Sequence, residues 1–253
     1  MLKRAFKGLA GLAGLSIIRK GTFTALLGHS DAFVEQKRLA GPGPLTIFDV
    51  GAYNGEISRE YVVNFPTAQV YAFEPFPSSF EQLKANMITY STVHVYNMGL
   101  SDKSGRQVFY SNTFAPTNSL LEPDAAAAKT WGNDVVRAHG AVECEFTTLD
   151  EFIEEQKISK VDILKIDVQG AEIRVLNGGR NALSAGRIAL IYSEIITMPT
   201  YKGQKKLWDI LKTFDECGMD LHNIYNFSFE PHSGRLRQVD AIFVRRSNVQ
   251  KSA

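Results

Sequence analysis

The sequence predicts a doubly wound α/β fold, a mostly parallel sheet with helices on both faces. Three observations point there. From Leu45 onward, apolar runs of strand length alternate with helical stretches. The first run ends in a glycine turn, Asp49-Val50-Gly51-Ala52-Tyr53-Asn54-Gly55, that opens a helix. The chain closes on two apolar runs, 221–227 and 236–245, that read as an antiparallel pair.

Residues 1–40 form a basic, amphipathic segment. Leu2, Phe6, Leu9, Leu12 and Leu15 recur at helical spacing, with Lys3 and Lys7 on the other side. The uncharged run 8–18 is too short to span a bilayer, and no small-residue cleavage site follows it. Two placements fit: a helix lying in a membrane interface, or one packed on the domain's own surface. Gly41-Pro42-Gly43-Pro44 then breaks the chain before the main domain, 41–247, which leaves 248–253 as a tail. Residues 45–50 are a strand, 56–65 a helix, 69–73 a strand, 78–87 a helix and 93–97 a strand. Residues 106–149 break this rhythm with a strand, a polar loop, an alanine-rich helix and a second strand, so they read as an insertion. Residues 161–167 and 188–194 resume the sheet around a helix at 170–183, and 201–218 is a further amphipathic helix.

Composition narrows the function. The net charge is only +1, which excludes a dedicated nucleic-acid binder. The charge is uneven: five of the 28 basic residues and no acid fall in 1–30, which leaves 23 basic against 27 acidic residues. An anionic partner for the N-terminus follows, such as an anionic membrane surface. Two distant cysteines give no disulfide framework and fit a cytoplasmic protein, peripheral at the inner face of the membrane if residues 1–20 bind there.

The first turn carries the chemistry. Its pattern, D-x-G-x-x-x-G, lacks the third glycine of a dinucleotide site, and Asp49 would repel a pyrophosphate. A carboxylate there suits a cation such as S-adenosylmethionine, which bears a sulfonium and an ammonium and no phosphate. Glu74 ends the second strand at the spacing where an acid meets ribose hydroxyls, and a carboxylate can accept from both.

These stretches resemble the FkbM family of S-adenosylmethionine-dependent methyltransferases. FDVGAYNGEIS, VYAFEPFPSSFEQLKAN, NMGLSDKSG, TTLDEFI, VDILKIDVQGAEIRVLNGG, YSEI and DAIFVR carry the resemblance across residues 47 to 245. It implies a class I methyltransferase fold, Rossmann-like, with seven strands of which the last is antiparallel. It also implies methyl transfer to a hydroxyl, usually on a sugar or a secondary metabolite. By the same resemblance Asp49, Gly51 and Gly55 line the methionine part of the cofactor, with Asn54 in the same loop. Glu74 holds the ribose, Leu100, Ser101 and Asp102 border the adenine, and Asp167 lies near the methyl group. Gln169 stands where the family often has Glu and is given no proton-transfer role.

A sugar hydroxyl needs a base as it attacks. Asp167 and Glu194, at two strand ends, are the first candidates. Asp167 also stands where it would cap the following helix. His139 and His232, together with Asn118 and Ser119, are assigned to the acceptor side. Asp167 and Glu194 could supply two oxygens to magnesium, as in some sugar methyltransferases, but no tight acidic cluster is evident and no metal site is assigned. Lys165 shares a strand face with Asp167, so its ammonium must be paired with a carboxylate or neutral. Nearby opposite charge favours the pair. The expected activity is therefore O-methylation of a sugar in a polysaccharide, glycolipid or glycosylated metabolite. A nicotinamide-dependent oxidoreductase and a non-catalytic membrane-associated module are the alternatives.

The N-terminal segment is directly testable. Each basic residue near anionic lipid contributes about 1 kcal/mol. Full-length protein should co-sediment with anionic vesicles at low salt and come off as salt rises, whereas a version starting at Gly21 stays in the supernatant. Full-length protein that also stays in the supernatant at low salt would refute membrane binding.

Overall fold

The computed structural model describes residues 31–132 and 135–246. Residues 1–20, assigned above to a membrane or packing helix, lie outside them. Contacts divide the chain into two units, Met1–Glu35 and Gln36–Ala253. In the first, the Asp31 carboxylate accepts from the backbone N–H groups of Phe33 and Val34, which caps the start of helix α1 (Ala32–Ala40). The second unit holds the sheet and the site.

Seven strands form the main sheet. β1 (Thr46–Val50), β2 (Gln69–Phe73), β3 (Val93–Tyr96), β7 (Val161–Ile166) and β8 (Ile188–Ile196) pair in parallel. β10 (Leu236–Arg245) runs antiparallel to both β8 and β9 (Met219–Phe229). The spatial order is β3-β2-β1-β7-β8-β10-β9, the seven-stranded class I arrangement with the final strand reversed. The order turns back between β1 and β7, and a crevice opens at the C-terminal ends of strands on either side of such a point.

Strand alternation sorts the side chains. Phe48 and Val50 of β1 face one side, where they join Phe73, Leu164, Ile166 and Ile191 in the main core. Helix α5 (Leu149–Glu155) seals that side, its first turn closed by a capping box between Thr148 and Glu151. Its Phe152 meets Phe48, Phe73 and Tyr96 edge-on, at ring separations of 5.6, 4.7 and 4.9 Å. Helices α2 (Glu56–Asn64) and α3 (Pro77–Met87) connect β1 to β2 and β2 to β3, with Leu83 and Met87 packed on Ala52 and Ala72.

Three elements differ from the sequence reading. The helix expected over 170–183 is two short ones, α6 (Glu172–Gly178) and α7 (Arg180–Ser184). The break serves packing: a Cβ on Gly178 would lie 2.0 Å from the Ser101 carbonyl oxygen, so only glycine lets the helix close on that strand. The helix expected over 201–218 starts later, as α8 (Leu207–Glu216), because Tyr201 is drawn into a bridge with Pro123. The insertion starts earlier than 106. β4 (Gly99–Ser101), β5 (Gly105–Asn112) and β6 (Ala138–Thr148) form a second sheet of their own, with a short α4 (Ala127–Trp131) between β5 and β6. Among the described residues no helix is long and apolar enough to cross a membrane.

Candidate functional site

A cavity of about 450 Å³ lies at the C-terminal ends of β1, β2 and β7, within the size range of small-molecule sites. The β1 turn lines it with Gly51, Tyr53 and Asn54, β2 contributes Glu74, and the β7 end contributes Asp167 and Gln169. Apolar Leu100, Phe109 and Phe146 form another part of the wall, and Phe114 and Asn118 reach it from the insertion.

The floor is a buried charge pair. Lys165 Nζ is 3.0 Å from Asp49 Oδ1 and 3.7 Å from Asp167 Oδ2, and it donates to the Gly51 carbonyl at 2.9 Å. The other Asp49 oxygen accepts from the Ser58 hydroxyl of α2 at 2.6 Å. Burial alone would lower the lysine pKa, but Asp49, Asp167 and Glu194 outweigh it and hold the ammonium above its ordinary range. Lys165 is therefore the cation of a carboxylate pair, as the nearby opposite charge favours.

Gly51 follows from this packing. Its φ is +80° and a Cβ would sit 1.9 Å from the Asp167 carbonyl oxygen. The β1 turn can thus lie directly against the β7 end, and its backbone N–H groups of Gly51 and Ala52 donate to the Phe73 carbonyl of β2. Three strand ends are tied into one rim.

Glu74 is set into that rim. One carboxylate oxygen accepts from the Tyr53 N–H and the other from the Phe76 N–H, each at 2.9 Å. Each oxygen keeps a second lone pair, so two further donors can be received from the cavity. Burial pushes this carboxyl up to about 7, against the pull of the two backbone donors.

At the β7 end, Asp167 Oδ1 accepts from Gln169 Nε2 at 2.8 Å, and the same nitrogen donates to Glu194 Oε2 at 2.6 Å. Gln238 donates to the other Glu194 oxygen. Burial, then Asp167, Asp240 and Glu172, raise the Glu194 carboxyl well above its ordinary value. Glu172, itself buried and raised to about 7, accepts from the Gly170 N–H at 2.9 Å and the Val168 N–H at 3.4 Å. It thereby satisfies the turn that Asp167 was expected to cap. Asp167 makes no cap bond, and Ala171 holds the N-cap position.

Several expected site residues stand elsewhere. Asp49 is fully buried beneath the floor, its charge used by Lys165 instead of facing a ligand. Gly55, at φ +89°, packs on Leu83 and Met87 behind the cavity. Ser101 is buried with its hydroxyl on Asp102, which is exposed, and only Leu100 of that trio reaches the wall. Glu194 sits behind Gln169 and off the lining. Ser119 is fully buried, donating at 2.7 Å to the Gln169 carbonyl. His139 and His232 are exposed, at the start of β6 and in the β9–β10 turn, and line no part of the cavity. Sequence reasoning gave Gln169 no proton-transfer role and placed Tyr201 only at the start of a helix. Both act through backbone placement, a φ of +55° at Gln169 and the loop bridge at Tyr201, which residue type alone does not reveal.

The donor set fits S-adenosylmethionine better than a dinucleotide. Glu56, Glu74 and Asp167 line the cavity, and the ammonium there, Lys165, is already committed to carboxylates and a carbonyl. A pyrophosphate would meet repulsion, whereas a ligand with two cationic groups and a ribose diol meets acceptors.

Residues 49–221 match the family model described as the methyltransferase FkbM domain. The chain is similar to 2-O-methyltransferase NoeI of Sinorhizobium fredii, 28% identical over 188 residues, covering 70% of this chain and 74% of that protein. It is 30% identical over 146 residues to hexuronic acid methyltransferase AglP of Haloferax volcanii, covering 57% of this chain and 54% of that one. With 31-O-demethyl-FK506 methyltransferase FkbM of Streptomyces tacrolimicus it shares 31% over 166 residues, 56% of this chain and 61% of that one.

Removing the floor pair's cation should expose its structural weight. Lys165→Met leaves the Asp49 carboxylate buried without its counter-charge and should cost about 3–5 kcal/mol in urea unfolding. Adding Asp49→Asn should return much of that loss. A single variant as stable as the wild type would show that the pair does not hold the floor.

Proposed function

The chain belongs to the FkbM family of S-adenosylmethionine-dependent methyltransferases, and we propose that it methylates a hydroxyl of a sugar in a polysaccharide, glycolipid or glycosylated metabolite. The observation that carries the reading is a single cavity walled by both Glu74 and Asp167. One carboxylate is preset for a diol, and the other, at the β7 end, is a proton acceptor. The names of two relatives, a 2-O-methyltransferase and a hexuronic acid methyltransferase, support the sugar acceptor.

When bound, the cofactor supplies an electrophilic methyl group on a cationic sulfur. The protein's part is placement and proton removal. Glu74 receives the two ribose hydroxyls on the lone pairs that Tyr53 and Phe76 leave open. The β1 turn from Gly51 to Asn54 holds the methionine end, and the apolar wall of Leu100, Phe109 and Phe146 receives the adenine. Asp167, at the cavity surface, accepts the acceptor's hydroxyl proton as the oxygen attacks. Glu194 acts behind it, through Gln169. Asn118, lining the cavity from the insertion, stands on the acceptor side. A membrane-bound N-terminal segment would set this site beside a glycolipid or lipid-linked acceptor.

Two outcomes test the assignment. Hydroxyl donors bind the ionised Glu74, and burial pushes its carboxyl up to about 7. Affinity for S-adenosylhomocysteine should therefore rise from pH 6 to pH 8 and level off above. In calorimetry Glu74→Gln should flatten that dependence, and Glu74→Ala should weaken binding at least about a hundredfold, since each charge-assisted bond contributes about 1.5–3 kcal/mol. Wild-type affinity in Glu74→Ala removes this residue from the site.

Asp167→Asn keeps the shape and the bond to Gln169 after an amide flip, but it cannot take a proton. Turnover on a methylatable saccharide should drop about 10²–10⁴-fold with little change in cofactor affinity. Equal turnover would assign the proton to another group.

A further inference from the structure

Gln169 occupies a position that residue type would not single out. Its backbone φ is +55°, a conformation rare for a long side chain, and this turns the side chain back between two strand ends. There the amide nitrogen donates one hydrogen to Asp167 at 2.8 Å, from the end of β7, and the other to Glu194 at 2.6 Å, on β8. The amide oxygen accepts from the Tyr201 hydroxyl at 3.1 Å, and the Gln169 backbone carbonyl accepts from Ser119 at 2.7 Å. The Tyr201 hydroxyl has a single hydrogen, which it shares between this amide oxygen and the nearer Thr117 carbonyl, 2.7 Å away inside the insertion. Both hydrogens and the oxygen of one neutral side chain are thus committed.

We propose that Gln169 is a positioning residue, whose amide binds Asp167 and Glu194 into one hydrogen-bonded unit and fixes that unit to the covering insertion through Tyr201. The inference rests on the methyl-transfer reading of the site, in which Asp167 meets the acceptor hydroxyl. Two carboxylates on adjacent parallel strands repel each other unless a donor stands between them. A primary amide is the neutral side chain with two hydrogens on one nitrogen, so it bridges both without adding charge.

The surroundings leave this task to Gln169. The pair is faced by Lys165 of β7, Glu172 of α6, Asp240 of β10, Tyr192 of β8 and Tyr201 of the following loop. The ammonium of Lys165 lies 3.7 Å from Asp167 and is shared with Asp49. Glu194 takes its hydrogen bonds from Gln169 and Gln238, two amides. Removing the Gln169 donor leaves the buried Glu194 charge with less support and places it against Asp167 without an intervening hydrogen.

Carboxyl carbon NMR titration of the full chain, as wild type, Gln169→Met and Gln169→Glu, reads this directly. Gln169→Met keeps the length of the side chain without the donor. Its Glu194 midpoint should move up by about one pH unit or more, the shift expected when a charge-assisted hydrogen bond is lost. Gln169→Glu keeps an acceptor for Tyr201 but adds a third carboxylate, and it should move the midpoint further. If Gln169→Met does not fold, Gln169→Glu decides alone. A Glu194 midpoint unchanged or lowered in the variants that fold would overturn the proposal, because a merely space-filling Gln169 would not move it. Calorimetry of the wild type with S-adenosylhomocysteine is read separately: failure to bind would overturn the methyl-transfer reading and leave the titration result standing.

Discussion

An ammonium cannot lie unpaired inside a parallel sheet, and the architecture of this site follows from how Lys165 is paired. Its partner Asp49 comes from the neighbouring strand in direct register, and its third contact, the Gly51 carbonyl, comes from the turn that Asp49 begins. The pair therefore joins β1 and β7 at the point where the strand order reverses. Ser58 brings α2 to the same carboxylate, so the turn between Asp49 and Ser58 is held at both ends. A glycine at 51 then becomes obligatory, because the turn is pulled to within 1.9 Å, measured from a would-be Cβ, of the Asp167 carbonyl oxygen. A rigid rim results, with little freedom left to order when a ligand binds.

Charge across the rim is arranged by depth. Asp49 is spent on Lys165 below, while Glu74 and Asp167 remain at the cavity wall. Behind Asp167, a row of polar groups continues along the same sheet face. Gln169 links Asp167 to Glu194, Gln238 supports Glu194, and Tyr192 donates to Asp240 at 2.7 Å. Buried acids in such number are kept apart by amide and hydroxyl donors, and their raised pKa values reflect burial first and mutual repulsion second.

The insertion supplies the wall that the parallel sheet lacks. Its second sheet carries Phe109 and Phe146 to the cavity, and its loop carries Phe114 and Asn118. It is fastened by polar bonds to the loop after β8: Tyr201 to Thr117, and Trp131 to Thr200 at 2.8 Å. Arg237 of β10 lies over the Trp131 ring at 4.2 Å and adds a cation–π contact. This wall is thus assembled from segments distant in sequence.

Periodicity and turn chemistry were enough to establish the strands of the sheet, the terminal antiparallel pair, the glycine turn and Glu74 at the end of β2, because each is a local pattern of a few residues, whereas the reversed final strand of the seven was implied by the family resemblance. The need for Lys165 to be paired was equally legible, since a charge in an apolar strand has few alternatives. The identity of its partner was not. Asp49 and Asp167 both stood on the right face, and only the register of β1 against β7 gave the close contact to Asp49 and left Asp167 for the cavity. Tertiary packing likewise withdrew Gly55, Ser101, Asp102, Ser119, His139 and His232 from the lining and placed Gln169 between two carboxylates. Those outcomes depend on a positive φ, a loop bridge and the rotation of side chains about strand ends. Such long-range geometry has no signature in neighbouring residue types, because it is set by contacts between segments far apart in sequence, 114 residues apart for Lys165 and the Gly51 carbonyl.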